Sequence, residues 1–102
     1  MLPPHSLDYI RKVLAEYFAD KPVRRVQVFG SYARGEATAE SDLDLILEMA
    51  QPVGWEYFRY GDDLQAILGI KVDLGGAVSD YMYRYIAQDL KTLYEPQQKA
   101  AA

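Results

Sequence analysis

Two short stretches of the sequence decide the fold. The first is Gly30-Ser31-Tyr32-Ala33-Arg34-Gly35, and the second, separated from Ser31 by ten residues, is Asp42-Leu43-Asp44. Residues 25–29 are typical of a strand, and residues 42–48 of a second one, so the glycine-bounded turn connects two strands. Because side chains alternate between the two faces of a strand, Asp42 and Asp44 are predicted to share a face that Leu43 does not.

A third predicted strand, over residues 70–74, has the same alternation. Ile70, Val72 and Leu74 fall on one face, and Asp73 lies on the other together with Lys71. If this strand neighbours the second one, the carboxylates of Asp42, Asp44 and Asp73 converge on a single polar surface. The spacing alone predicts this convergence.

Helices are predicted around these strands. The first begins at the N-cap Ser6 and ends near Asp20, because Pro22 disfavours helical geometry just before it. The second covers residues 55–68 and ends at Gly69. Its inner side is predicted to carry Phe58, Leu64, Ile67 and Leu68. A last helix, capped by Ser79, runs to about Leu90, and Leu93-Tyr94 forms a short edge strand or a frayed end.

These elements predict an α/β (α+β) fold in which helices flank a small mixed β-sheet. The chain has 102 residues, of which 50% are hydrophobic, enough for one compact domain with a real core. We expect residues 1–96 to form that domain and residues 97–102 to form a flexible tail.

Composition excludes several classes of function. The chain has no cysteine, which rules out disulfides, thiolate metal sites and cysteine nucleophiles. Its formal net charge is −4, whereas nucleic-acid binders more often carry a basic surface, so no direct nucleic-acid binding is expected. We expect a cytoplasmic protein without membrane association, and we expect the single histidine, His5, to be a solvent-exposed bystander.

The predicted carboxylate surface is suited to a hard cation. Clustered carboxylates repel one another and need a compensating positive charge, and oxygen-only ligands favour Mg²⁺ or Mn²⁺ over zinc. Two such ions can hold the attacking and leaving oxygens of a displacement at phosphorus. Gly30 allows close approach of a phosphate, Ser31 offers a hydroxyl and backbone N–H groups, and Arg34 is near enough to add a charged contact.

The two stretches, together with Lys71-Val72-Asp73-Leu74, resemble the DNA polymerase β-type nucleotidyltransferase superfamily. The closest similarity is to its minimal branch, the MNT antitoxins that are paired with HEPN toxins. The resemblance extends from about residue 25 to residue 94. It implies a nucleotidyltransferase fold in which Gly30 and Ser31 hold the triphosphate. It also implies that Asp42, Asp44 and Asp73 bind two Mg²⁺ ions, and that Asp73 helps to activate the acceptor hydroxyl.

The same resemblance implies a function: transfer of AMP from ATP to a tyrosine of a cognate HEPN ribonuclease toxin within a heteromeric complex. Two alternatives stay open at this point. One is a nucleotidyltransferase for a small molecule such as an aminoglycoside, and the other is an antitoxin that blocks its toxin by binding alone. For either antitoxin we expect an apolar partner surface made of exposed tyrosines and leucines of the first and last helices.

Overall fold

The fold combines one sheet with helices that cover one of its faces. The computed structural model describes residues 4–75, 84 and 86–96. Along these residues the elements are helix α1 (Leu7–Tyr17), strand β1 (Val23–Phe29), helix α2 (Ser31–Arg34), strand β2 (Leu43–Met49), helix α3 (Glu56–Leu68), strand β3 (Val72–Gly75), a 3₁₀ turn (Ala87–Asp89) and strand β4 (Lys91–Tyr94). The predicted strands are all present, with bounds that differ by one or two residues.

The four strands form one mixed sheet in the order β3-β2-β1-β4. Strand β1 pairs antiparallel with both β2 and β4, whereas β2 and β3 run parallel. The second and third strands are therefore neighbours, which was the condition for the carboxylates to converge. Strand β4 includes Leu93-Tyr94 and lies at the sheet edge, so the edge-strand alternative is the correct one.

The hydrophobic core lies between the sheet and the long helices. Leu43 and Leu45 of β2 are fully buried, as are Ile10 of α1 and Leu64 of α3. Asp44 lies between these two leucines on a strand whose side chains alternate, so it belongs to the opposite face of the sheet. The helices thus cover the apolar face and leave the aspartate face to the candidate site.

Helix α1 starts as the sequence predicts and ends slightly earlier. The Ser6 hydroxyl accepts a hydrogen bond from the Tyr9 N–H at 3.1 Å, which satisfies one of the free donors of the first turn. The helix ends at Tyr17, three residues before Asp20. His5 is not a bystander: its Nε2 hydrogen-bonds with the Leu68 carbonyl, and its ring stacks on Tyr9. This contact ties the start of the chain to the end of α3.

Helix α3 buries half of its predicted inner side: Leu64 and Leu68 are buried, whereas the other two predicted residues are not. Tyr60, Leu64 and Leu68, spaced four residues apart, form its buried side. Phe58 and Ile67, assigned to the inner side because they are apolar, are 65% and 51% exposed. Phe58 lies far from the buried row around the helix, and Ile67 is exposed although it is close to that row, so both assignments were wrong. Gly69 does end the helix, in the left-handed conformation expected of a C-terminal glycine.

The outer edge of β3 is in contact with α3. The backbone N–H of Val72 donates a hydrogen bond of 3.1 Å to Oε1 of Gln65. On the inner side, the N–H of Leu43 donates to the carbonyl of Lys71 at 2.9 Å and begins the parallel ladder. Strand β3 is therefore fixed on both sides at the point where it starts.

Two predictions concern residues beyond the described part of the chain. Half of the last predicted helix, which runs from Ser79 to about Leu90, lies outside the described part, at residues 79–83 and 85; Ala87–Asp89 within its predicted range form a 3₁₀ turn. The tail at 97–102 also lies outside, and the domain boundary at residue 96 stays a prediction. Among the described residues, no helix is long and apolar enough to span a bilayer.

Candidate functional site

A glycine turn opens the candidate site at the end of β1. Gly30 has φ 76° and ψ −154°, a backbone region that is accessible essentially only to glycine. This conformation reverses the chain so that Ser31–Arg34 form one helical turn, as predicted. Gly35 ends that turn in the left-handed conformation. Tyr32 is 3% exposed, so it anchors the turn in the core.

The turn lies directly against β2. A Cβ atom added to Gly30 would overlap Oδ2 of Asp44 and come within 3.4 Å of its Cγ. Gly30 is therefore constrained twice, by its backbone conformation and by the carboxylate beside it. The structure brings together the predicted phosphate-binding turn and a predicted metal ligand, although 14 positions separate them in sequence.

The strand register places the aspartates in a row. Asp44 pairs with Phe29 on one side and with Asp73 on the other. Asp42 precedes the first residue of β2, and its Oδ2 lies 3.8 Å from Nζ of Lys71. Asp44 and Asp73 thus lie side by side in the sheet, as predicted, and Asp42 lies just before the strand that carries Asp44.

Asp44 is partly buried and lies near the negative charges of the two other aspartates. Burial raises its pKa above the usual value for aspartate, and the charges of Asp73 and Asp42 raise it further. The positive charges of Arg34 and Lys71 act in the opposite direction. A bound divalent cation would relieve both the burial and the repulsion, so this carboxylate has a physical reason to bind one.

We expect Asp44→Asn to stabilise the metal-free protein at neutral pH. Because the folded-state pKa of Asp44 lies above its unfolded value, the folded state binds this proton more tightly, and its stability falls as pH rises through that pKa. The neutral amide removes this cost, and because the carboxylate is only partly buried and screened by solvent, the expected gain is at most about 1 kcal/mol. Thermal unfolding in EDTA would measure it. The gain should narrow as the pH is lowered and Asp44 itself becomes protonated; a constant or negative difference would contradict the prediction.

Arg34 has two carboxylate partners that the sequence did not suggest. Its Nε donates a hydrogen bond of 2.8 Å to Oε1 of Glu36, and its Nη1 lies 3.6 Å from Oδ2 of Asp89. Glu36 is two residues away and could have been considered from sequence. Asp89 comes from the 3₁₀ turn before β4, and no local sequence signal indicates that it would reach Arg34.

The ligand set fits a magnesium-type ion in chemistry but is not gathered into a closed cage. The available donors are carboxylate oxygens, which Mg²⁺ and Mn²⁺ prefer. Over residues 4–75, 84 and 86–96, however, no three acidic, histidine or cysteine side chains are grouped closely enough to hold one ion. Asp42 interacts with Lys71 instead. Binding of a cation would therefore require the aspartate side chains to turn toward it from backbone positions that are already adjacent.

A glycine turn against a strand of aspartates, on a small mixed sheet, is the arrangement of a nucleotidyltransferase. Comparison with known families agrees: the nucleotidyltransferase domain matches residues 7–97. The chain belongs to the nucleotidyltransferase domain family, which confirms the resemblance, the fold class and the enzyme class predicted from sequence.

Individual relatives are similar over most of their length. The chain is 38% identical to “Putative protein adenylyltransferase MJ0128” of Methanocaldococcus jannaschii over 84 residues, covering 78% of this chain and 83% of the relative. A solved “putative minimal nucleotidyltransferase” superposes with a TM-score of 0.72 at 26% identity, covering 86% of this chain and 96% of the other.

One similar structure contains two proteins. A chain from the complex of tri-AMPylated Shewanella oneidensis HEPN toxin with MNT antitoxin superposes with a TM-score of 0.67 at 18% identity. The match covers 93% of this chain and 77% of that one. At this identity the likeness shows a shared fold.

Proposed function

We propose that this protein is an antitoxin that transfers AMP from ATP to a tyrosine hydroxyl of a cognate HEPN ribonuclease toxin, with Mg²⁺ as its cofactor. The observation that carries the proposal is the contact between Gly30 and Asp44, with Asp73 paired beside Asp44. This contact places the predicted phosphate-binding turn next to the aspartate carboxylates. Further support comes from the protein adenylyltransferase among the relatives and from the AMPylated toxin in a structure of the same fold.

Each site residue has a role in this proposal. Gly30 and the N–H groups that follow it, together with the Ser31 hydroxyl, hold the triphosphate, and Arg34 contributes positive charge. Asp42, Asp44 and Asp73 hold two Mg²⁺ ions, or Mn²⁺ in their place. When bound, the ions neutralise phosphate charge and favour ionisation of the acceptor hydroxyl.

The transfer itself is a displacement at the α-phosphorus of ATP. The tyrosine oxygen of the toxin forms the new bond to phosphorus, the bond from phosphorus to the bridging oxygen breaks, and pyrophosphate leaves with that oxygen. Asp73 accepts the hydroxyl proton because, on an edge strand, it is the exposed member of the row. The products are an adenylylated tyrosine and pyrophosphate, so no redox partner is needed.

Intact mass spectrometry tests this function directly. The purified protein is incubated with its cognate HEPN protein, ATP and Mg²⁺, and the mass of each chain is measured. We expect the toxin mass to rise by whole adenylate units while its ribonuclease activity falls. A stable complex that silences the toxin without any mass increase would support the antitoxin that acts by binding alone. Adenylylation of an aminoglycoside but not of the protein partner would support the small-molecule enzyme.

We expect ATP to bind weakly without a divalent ion and at least tenfold more tightly with Mg²⁺ or Mn²⁺. The row of aspartates repels a bare triphosphate, and a bound ion reverses that repulsion. Calorimetric titration in EDTA, followed by titration in Mg²⁺, would measure the difference. Equal affinity under both conditions would show that the carboxylates do not take part in nucleotide binding.

The exposed apolar residues differ from the surface predicted for the partner. On α1, Tyr9 is 45% exposed but Leu14 is fully buried, and half of the last predicted helix lies outside the described residues. Among the described residues, the most exposed large apolar side chains are instead Trp55 and Phe58 at the start of α3, with ring centroids 5.9 Å apart. An open pocket of about 200 Å³ adjoins Phe58 and is walled by Val72 and Leu74, the neighbours of Asp73 in β3.

We expect the double substitution Trp55→Ser and Phe58→Ser to weaken the complex with the toxin about tenfold or more. Exposed aromatic pairs of this kind commonly dominate binding free energy once a partner covers them. Ile67→Ser is the matched control, because Ile67 is also exposed but lies on the opposite side of α3. Surface-immobilised binding measurements would compare the variants; equal losses in both would argue against this surface.

A further inference from the structure

Arg34, the last residue of the helical turn that follows Gly30, has two carboxylate partners. The backbone N–H of Glu36 donates to the carbonyl of Ser31 at 2.9 Å, so the position of Glu36 is set by the turn itself. From there its carboxylate accepts the 2.8 Å hydrogen bond from Arg34. Asp89, on the 3₁₀ turn before β4, approaches the same guanidinium from another part of the chain.

Stability does not explain this arrangement. The side chains of Arg34 and Glu36 are 43% and 65% exposed, and ion pairs this exposed contribute little to folding. Arg34 does act on the candidate site, because its positive charge lowers the pKa of Asp44. Lys71, the other cation acting on Asp44, lies beside Asp42. Within the described residues, both cations at this site therefore already have carboxylate partners.

We propose that Glu36 sets the affinity for the nucleotide by competing with the triphosphate for Arg34. This inference rests on the proposed function and adds a residue to it. A Mg²⁺-bound triphosphate carries more negative charge than one carboxylate, so it takes over the guanidinium on binding. When pyrophosphate leaves, Glu36 pairs with Arg34 again. Glu36 thus weakens the binding of both ATP and pyrophosphate. Weaker binding favours release of pyrophosphate and therefore turnover.

Glu36 does not act mainly by orienting Arg34 for the phosphate. Asp89 also contacts the guanidinium, so orientation does not depend on Glu36 alone. The Glu36 carboxylate would also stay close to the bound phosphates and repel them. The Glu36→Gln variant separates these effects, because the amide oxygen can still accept the Nε hydrogen bond while the negative charge is removed.

The experiment measures Mg·ATP affinity and inhibition by pyrophosphate in Glu36→Gln. We expect both ligands to bind about two- to fivefold more tightly than in the wild-type protein, the range for one exposed ion pair. The gain should shrink at high ionic strength, because salt screens exposed charges. Glu48→Gln is the matched control: Glu48 pairs with Arg25 at 3.1 Å on the same sheet, so net charge changes equally. We expect no change in that variant.

A double-mutant cycle tests whether Glu36 acts through Arg34. In the Arg34→Ala background, Glu36→Gln should lose most of its effect. The inference is refuted if Glu36→Gln weakens or does not change nucleotide binding, if its gain persists without Arg34, or if Glu48→Gln gives the same gain. Failure of the wild-type protein to bind Mg·ATP would instead refute the proposed function and this inference with it, so the two failures are distinguishable.

Discussion

Asp73→Asn is expected to lower the rate of adenylate transfer by about 10²–10⁴-fold, the range for loss of a positioned general base. The substitution keeps the shape of the side chain and removes its charge. Asp73 lies on the edge strand and is exposed, whereas Asp44 is partly buried next to the turn. The loss should therefore fall on transfer, and most of the metal-dependent nucleotide affinity should remain.

The other two aspartates should behave differently. Asp42→Ala and Asp44→Ala are expected to weaken Mg²⁺-dependent ATP binding itself, because they remove two of the proposed metal ligands. Single-turnover transfer rates and calorimetric affinities, measured on the same preparations, separate the two classes. Asp20→Asn is a suitable control, since Asp20 is an exposed carboxylate paired with Lys21 at the end of α1. Transfer by Asp73→Asn at nearly the wild-type rate would show that Asp73 is only a solvated strand residue.

Gly30→Ala is expected to lower stability and abolish transfer together. The backbone conformation alone should cost about 1–3 kcal/mol for any residue with a Cβ atom. The new Cβ atom would also displace the Asp44 carboxylate from its position beside the turn. Gly35→Ala provides the comparison: Gly35 has a similar φ of 74°, but nothing lies within 4 Å of the atom that would be added. It should cost stability with little effect on transfer.

A double-mutant cycle that combines Gly30→Ala with Asp44→Ala isolates the contact between the turn and β2. Without Oδ2, the nearest Asp44 atom to the added Cβ would be its own Cβ at 3.7 Å, an ordinary van der Waals distance. Gly30→Ala should therefore cost less in that background than in the wild-type protein, as measured by urea or thermal unfolding. Equal costs would mean that Asp44 moves aside freely and that the turn tolerates a side chain.

The order of the elements and the position of the aspartates were predictable from sequence because they depend on local rules. Alternation along a strand fixes the common face of Asp42 and Asp44, and it also places Asp73 opposite its apolar neighbours. The Gly30-Ser31 pair between two strands predicted the turn. What remained conditional was strand adjacency, and the parallel pairing of β2 with β3 supplied it.

The parts that were missed depend on contacts between distant residues. Asp89 reaches Arg34 across 55 positions of sequence, and no periodicity encodes that meeting. Phe58 and Ile67 were placed in the core because they are apolar, but the helix angle is set by the row that contains Tyr60. Apolar character alone does not distinguish a residue that packs internally from one that is exposed.

The side chain of Gln65 has a consequence for how this protein meets other chains. An unpaired strand edge is a template on which another chain can add a strand, and repetition of that step leads to aggregation. At the start of β3 the outward N–H of Val72 is already bonded to Gln65 within the same molecule. The backbone of another polypeptide therefore cannot readily accept a hydrogen bond from the Val72 N–H, because the Gln65 side-chain amide already accepts it. At this position β3 is therefore less able to pair with a strand from another chain.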